Sequence, residues 1–296
     1  MTTVSSDIVT GAINRSLPAR IATRFGGGLL RILLIAIALL WLLPTFGLLV
    51  ESLRNSSEYA NGGWWSALTH PAQLTISNYT SLLQNHAITS SLLNTIKITV
   101  PATLLVVLIG SAAGYAFAWM EFPGRDWLFL IVVGLLVIPV QIALVPVVKL
   151  AGALGIAGTI TSVVLFHVAF GLPFAIFLLR NYFAGIPRDL MEAARIDGAS
   201  EGRIFFRIVL PLGLPAIASL GIFQFLWVWN DLLVALVFSD ASSQPLTVAL
   251  ASQTRQFGSS IDILAPGAFL SLIIPLAIFL GFQRFFVQGV MAGSVK

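Results

Sequence analysis

Asp231 is an acid in an otherwise apolar stretch, with Gln224, Trp227, Trp229 and Asn230 close by in the chain. A carboxylate facing mid-bilayer lipid costs about 2.5–3.5 kcal/mol. Asp231 is therefore expected to face the inside of a helix bundle, water or a basic partner. Amides and indole faces beside a carboxylate suit a sugar ring. Gln and Asn also glue helices together by hydrogen bonds, and both readings stand. Counting from Pro211 at about 1.5 Å per residue, Asp231 lies ~30 Å along its helix. That places it near the outer side and keeps structural pairing there as the alternative to a substrate pathway. On the pathway reading, Asp231→Ala impairs function with little effect on assembly. His167 and Gln141 are lone polar residues in apolar runs, and interior packing is expected of both.

Covalent chemistry finds no support. The chain has no cysteine, which excludes thiol nucleophiles, disulfides and zinc–thiolate sites. The three histidines, His70, His86 and His167, are scattered, and no H-E-x-x-H occurs. No serine has an evident base partner. An intramembrane protease or lipid transferase would lack its catalytic set, so no catalytic residue and no metal ligand are assigned. There is also no G-x-x-x-x-G-K-[ST], hence no P-loop.

The elements that must position these side chains are membrane helices. Of 296 residues, 57% are hydrophobic and 9% charged, against about 25% charged in soluble domains. Lipid must be the solvent for much of such a chain. The net charge of +4 comes from basic residues flanking apolar runs, a pattern of membrane orientation rather than of nucleic-acid binding. Six runs are long enough to span: about 29–50, 98–120, 127–148, 158–179, 208–238 and 263–283. The first is too long for a signal-peptide core and no A-x-A site follows, so it reads as a retained helix. With the N-terminus inside, twelve Lys and Arg fall on the inner side and four on the outer. The positive-inside rule then puts both termini in the cytoplasm. Residues 1–28 are expected to form a cytoplasmic tail, 29–287 the six-helix membrane domain, and 288–296 a cytoplasmic C-terminal tail. The outer loop 51–96 carries Trp64 and Trp65, expected at headgroup level. The outer loop 239–262 reads as polar. Gly110 and Gly114 have the small-xxx-small spacing that lets two helices approach closely.

The inner loop 181–207 carries the second constellation. Pro187 suits a first helical turn. Asp189 and Glu192 stand toward the positive end of the helix dipole. Gly198 is suited to a left-handed stop, and Ser200 to capping a following helix. The expectation is a short surface helix over 187–197, with Arg188, Glu192 and Arg195 as charged groups and Ala193, Ala194 and Gly198 as small ones; on geometry alone a purely structural surface helix is the default reading. Arg195 and Glu192 share a face at three-residue spacing.

Glu192-Ala193-Ala194, Gly198, Ile208 and Leu210-Pro211 match EAA-x3-G-x9-I-x-LP at every defined position. This pattern resembles the signature of bacterial ABC importer permeases. The resemblance implies an all-α polytopic fold with six transmembrane helices and a cytoplasmic coupling helix, of the type I importer kind. In that family the loop docks in a cleft of a separate ATPase subunit. ATP and Mg would then be held by that partner, and no cofactor by this chain.

The ending Gln283-Arg284-Phe285-Phe286-Val287-Gln288-Gly289 through Lys296 is similar to that of the second permease of carbohydrate importers, relatives of the maltose permease pair, in which the tail reaches between the ATPase subunits. Trp229-Asn230-Asp231 and Pro245-Leu246-Thr247-Val248 look like the same group. Gln256-Phe257-Gly258-Ser259 and Ala265-Pro266-Gly267-Ala268-Phe269 resemble its α-glucoside branch. The implied partners are a sister permease forming a heterodimer, an ATPase dimer, an extracytoplasmic sugar-binding protein and membrane lipid, with no nucleic acid. The implied location is the bacterial cytoplasmic membrane. The coupling signature is shared with permeases for other cargo, so a non-sugar solute is the alternative.

Overall fold

A computed structural model describes residues 17–256 and 261–292. The first helix, α1 (Leu17–Ser52), contains a 23-residue apolar stretch from Leu30 to Ser52. In lipid every backbone group must be satisfied internally, so such a run has little choice but helix. The start of the tail expected over 1–28 lies outside the described residues, and α1 is already helical from Leu17. Leu40 and Trp41 are exposed, and α1 packs chiefly on the last helix of the chain.

The segment after α1 is organised rather than loose. It contains α2 (Ser66–Thr69) and α3 (Ser77–Gln84), with 3-10 turns at Ser56–Asn61 and Pro71–Gln73. Arg54 is fully buried at its centre. Its guanidinium donates to the carbonyl of Gly62 at 2.7 Å, to Gln73 Oε1 at 2.9 Å and to the carbonyl of Glu58. Asn78 Nδ2 donates to the carbonyls of Ser52 and Arg54 at 3.1 and 2.7 Å. Trp64 lies over Gly47 of α1, where a Cβ would meet its indole at 2.7 Å, while Trp65 is exposed.

α4 (His86–Trp119) begins twelve residues ahead of the expected span, capped by Asn85 Oδ1, which accepts the N–H of Ala87 at 3.1 Å. The expected third rod is a bent pair. α5 (Arg125–Leu135) and α6 (Val140–Ala153) meet at 104°. Pro139, which lacks an N–H and biases Ile138 away from helix, stands at the break. Gln141, expected to pack inside, is exposed on the first turn of α6.

α7 (Ile160–Phe183) runs parallel to α4. A Cβ on Gly110 would lie 2.7 Å from Cβ of Ala175, and one on Gly114 would lie 2.9 Å from Cβ of Leu179. The glycine spacing therefore does set a close helix pair. The loop expected on the inner side holds α8 (Arg188–Ile196) and α9 (Glu201–Ile204). A widened π turn over Phe205–Val209 leads into α10 (Leu210–Trp229). The expected span 208–238 is corrected at both ends. The continuous helix starts at Glu201, and it breaks after Trp229 before α11 (Leu233–Phe238). The outer segment read as polar loop contains α12 (Leu246–Gln256), and the chain closes with α13 (Ile261–Ala292).

The main core is shared by α4, α7 and α10, with Val106, Ala175, Leu179, Phe183 and Leu220 buried at its middle. α13 packs on α10 and carries α1 on its other side. The result is a helical membrane protein: among the described residues five unbroken helices are long and apolar enough to span, and a sixth span is counted when the bent pair is taken as one.

Candidate functional site

The loop between α7 and α10 is shaped by its own local signals. Pro187 takes the N-cap position of α8 in extended conformation, φ −57° and ψ 132°. At the far end Gly198 has φ +76°, the left-handed geometry that costs glycine nothing. The Ala199 N–H donates to the Ala194 carbonyl at 3.0 Å, and the Gly198 N–H to the Arg195 carbonyl at 3.0 Å. These two bonds make a Schellman stop. Ser200 takes the expected N-cap position of α9, but its side chain makes no capping bond.

α8 has three distinct faces. Met191 is fully buried and Ala194 packs against the main core. Arg188, Glu192 and Arg195 line a cleft against the ends of α4 and α7. The remaining face is bare: Ala193 and Leu190 are exposed, and Ile196 is 85% exposed. Sequence reasoning named Ala193 on this face but missed Leu190 and Ile196. Helical spacing alone does not say which apolar residues a neighbouring span will cover.

Arg195 and Glu192 share the cleft, but the carboxylate that Arg195 binds is Glu201. Arg195 Nε donates to Glu201 Oε1 at 3.0 Å, and its NH2 donates to the Trp119 carbonyl at 3.1 Å. Tyr115 donates its hydroxyl to the other oxygen of Glu201. The bond to Glu201 holds the Arg195 guanidinium above its ordinary pKa. Trp119 Nε1 in turn donates to the Phe183 carbonyl at 2.9 Å, tying the C-terminal ends of α4 and α7 together. Neither Tyr115 nor Glu201 was singled out from sequence. Their partnership spans 86 residues, and no local pattern announces it.

Ile208, Leu210 and Pro211 are not on the bare face of α8. Ile208 lies in the π turn and packs on the core, while Leu210 and Pro211 open α10. The Leu210 N–H bonds back to the Phe205 carbonyl, one residue further than in an α-helix. Pro211 has no N–H to donate and its ring would crowd a regular turn, which the extra residue relieves. These three residues form the joint between the inner loop and a membrane span.

The polar residues of α10 separate. Asp231 sits at the break before α11, where its carboxylate accepts the N–H groups of Val234 and Ala235 at 3.3 and 2.9 Å. Its Oδ2 lies 3.5 Å from Nε2 of His167, which is fully buried as expected. Trp227 meets the His167 ring edge-on at 4.9 Å. Gln224 is buried against Gly171, with its Nε2 lacking a hydrogen-bond partner. Trp229 turns away to α13, donating to the Ser271 carbonyl at 3.0 Å. Asn230 is exposed and bonds back to the Leu226 carbonyl of its own helix at 2.8 Å. Asp231, Trp227 and Gln224 thus border α7, and Trp229 and Asn230 do not join them.

A family model described as "Binding-protein-dependent transport system inner membrane component" matches residues 106–291, more than half of the chain and all of α8 to α11. The chain belongs to this family. The permease is 47% identical over 272 residues to the osmoprotective compounds uptake permease protein GgtD of Synechocystis sp., covering 90% of this chain and 91% of that one. It is also 47% identical over 235 residues to the alpha-glucoside transport system permease protein AglG of Rhizobium meliloti, covering 77% of this chain and 62% of that one. Among solved structures it resembles a chain of a bacterial ABC transporter involved in the import of the acidic polysaccharide alginate. The TM-score is 0.76 at 20% identity, over 90% of the permease and 98% of that chain. That likeness shows a shared fold, that of an ABC importer membrane subunit.

Proposed function

We propose that the permease forms half of the translocation pathway of an ATP-driven importer of a sugar or oligosaccharide. It pairs with a sister permease, receives cargo from an extracytoplasmic binding protein, and couples to a separate ATPase dimer that holds ATP and Mg. Both termini and α8 face the cytoplasm. The observation that carries the coupling reading is the bare face of α8, with Leu190, Ala193 and Ile196 turned outward on a helix anchored to α4 and α9. A helix with one uncovered apolar face fits a groove in a partner. The bonds from Arg195 and Tyr115 to Glu201 make α8 follow the membrane spans, so closure of the ATPase dimer tilts them as a rigid body. In this reading Ala193 enters the groove, and Ala194 keeps α8 close to the spans. Gly198 ends the helix, and Ile208, Leu210 and Pro211 make the joint. Arg188, Glu192 and Arg195 supply charge at the edge of the contact.

The carbohydrate cargo is supported by the relative named for alpha-glucoside transport. The relative named for osmoprotective compounds supports the alternative, a non-sugar solute. Asp231, Gln224 and Trp227 are the pathway candidates. Asp231 also holds the start of α11, and Trp229 and Asn230 serve local structure.

Co-purification tests the coupling. A tagged permease is expected to bring down an ATPase, and Ile196→Glu to lose it while keeping its fold. An Ile196→Glu variant that retains the ATPase removes the docking face. Titrating the partner binding protein with α-glucosides and with small osmolytes decides the cargo. Binding of osmolytes alone overturns the sugar reading.

A further inference from the structure

Beside the docking face of α8 lies a cleft that shares Arg188, Glu192 and Arg195 with the edge of the proposed contact, while its other walls take no part in coupling. The cleft, of about 350 Å³, opens between the inner ends of α4 and α7, the start of α5 and the charged face of α8. This volume is at the low end of the ~300–1,000 Å³ common for small-ligand pockets. Its walls carry four arginines, Arg125, Arg180, Arg188 and Arg195, against two glutamates, Glu121 and Glu192, a net charge of +2. Arg125 is paired with Asp126 and Arg195 with Glu201. Among the described residues Arg180 and Arg188 have no carboxylate within ion-pair distance. The Arg180 guanidinium lies 4.8 Å over the Phe129 ring and bonds Asn181 Oδ1 at 3.1 Å, yet its buried Nε has no partner. A partly buried cation without a counter-charge is costly unless an anion completes it.

The surroundings indicate the anion's source. Trp127, at the start of α5 and two residues past Arg125 of the cleft wall, is 75% exposed, as expected of an aromatic residue at headgroup level. Below it Leu128 and Ile131 present an exposed apolar surface along α5. A molecule with a phosphate head and acyl tails fits both features at once. We propose that the cleft binds the phosphate of an anionic phospholipid of the inner leaflet, held by Arg180 and Arg188. The inner-leaflet assignment rests on the cytoplasmic placement of α8 proposed above. Phosphate binding itself does not, and it is read without any ATPase.

The test uses the intact permease in nanodiscs of phosphatidylcholine with a minor fraction of phosphatidylglycerol. The lipids that survive detergent exchange are then counted by native mass spectrometry. Wild type is expected to keep phosphatidylglycerol over phosphatidylcholine. Arg180→Gln and Arg188→Gln are each expected to lower that preference about fivefold, from ~1 kcal/mol per basic residue at an anionic surface. Glu192→Gln, which removes a negative charge from the same wall, should raise it, an outcome that misfolding would not produce. Excess inorganic phosphate should leave the retained lipid in place. Displacement by phosphate would support the anion site but assign it to a soluble phosphate. Equal retention of the two lipids by wild type, or no change in Arg188→Gln, overturns the proposal.

Discussion

Residues 51–85, on the outer side in this account, close on themselves. Arg54 is entirely buried and gathers the carbonyls of Glu58 and Gly62 around one guanidinium, while Asn78 clips Ser52 and Arg54 from the other side. The inner loop around α8 has almost the opposite build. It satisfies its own backbone, hangs from α4 and α9 by Arg195, Glu201 and Tyr115, and leaves a whole face uncovered. A polar segment that spends its hydrogen bonds internally makes a fixed platform. One that spends them on the membrane helices makes a handle. Stability should therefore concentrate in the first region and transmission of force in the second.

Substitutions that separate stability from coupling can break this contrast. Arg54→Ala is expected to do the largest damage. It strands buried carbonyls and Glu51, a loss of about 3–5 kcal/mol for breaking a buried charged network, seen as a lowered Tm and poor yield. Gly114→Val drives a side chain into Leu179 and toward the Arg180 backbone N, 3.1 Å from the built Cβ. Overpacking of this kind costs about 1–3 kcal/mol. Because Tyr115 is the next residue, coupling between ATP hydrolysis and uptake should fall as well.

Asp231→Ala removes the acceptor for two α11 N–H groups, about 0.5–2 kcal/mol for a lost cap. The expectation of an assembly-neutral loss of uptake is thereby sharpened: Asp231→Asn, which keeps an acceptor, is the variant that should lower uptake at nearly normal Tm. Normal uptake by Asp231→Asn would remove the carboxylate from the pathway. The smallest change in stability is expected of Arg195→Met. Its pair with Glu201 is more than a third exposed on both sides, and such pairs contribute about 0–1 kcal/mol. Uptake per ATP hydrolysed should nonetheless drop in this variant. A fall in Tm as large as that of Arg54→Ala, with coupling intact, would reverse the contrast.

How these features could be read from sequence depends on the range of the interactions behind them. Spans were legible because lipid imposes runs of about 20 apolar residues. The stop at Gly198 was legible because a left-handed turn selects glycine. At Pro139 a kink was legible from the proline inside an apolar run, but the 104° bend was not, since a continuous apolar run has the same hydropathy straight or folded. The outer platform read as loop because its order comes from one arginine reaching Gln73, 19 residues away. Asp231 stood out by its cost in lipid, but its companion His167 lies 64 positions earlier on another helix. Arg195 was marked as a charged group of this helix, and Glu192, three residues back on the same face, was the natural partner. Glu201 has the bond instead, because the turn at Gly198 swings α9 back alongside α8.

The absence of cysteine in the chain makes one labelling measurement direct. In an Ile196→Cys variant, a membrane-impermeant maleimide should leave the thiol unlabelled in intact cells and modify it in inside-out membranes stripped of the ATPase. Adding the ATPase back should protect it. Labelling from the outside, or modification that the ATPase leaves unchanged, would contradict α8 being the handle a cytoplasmic motor grips.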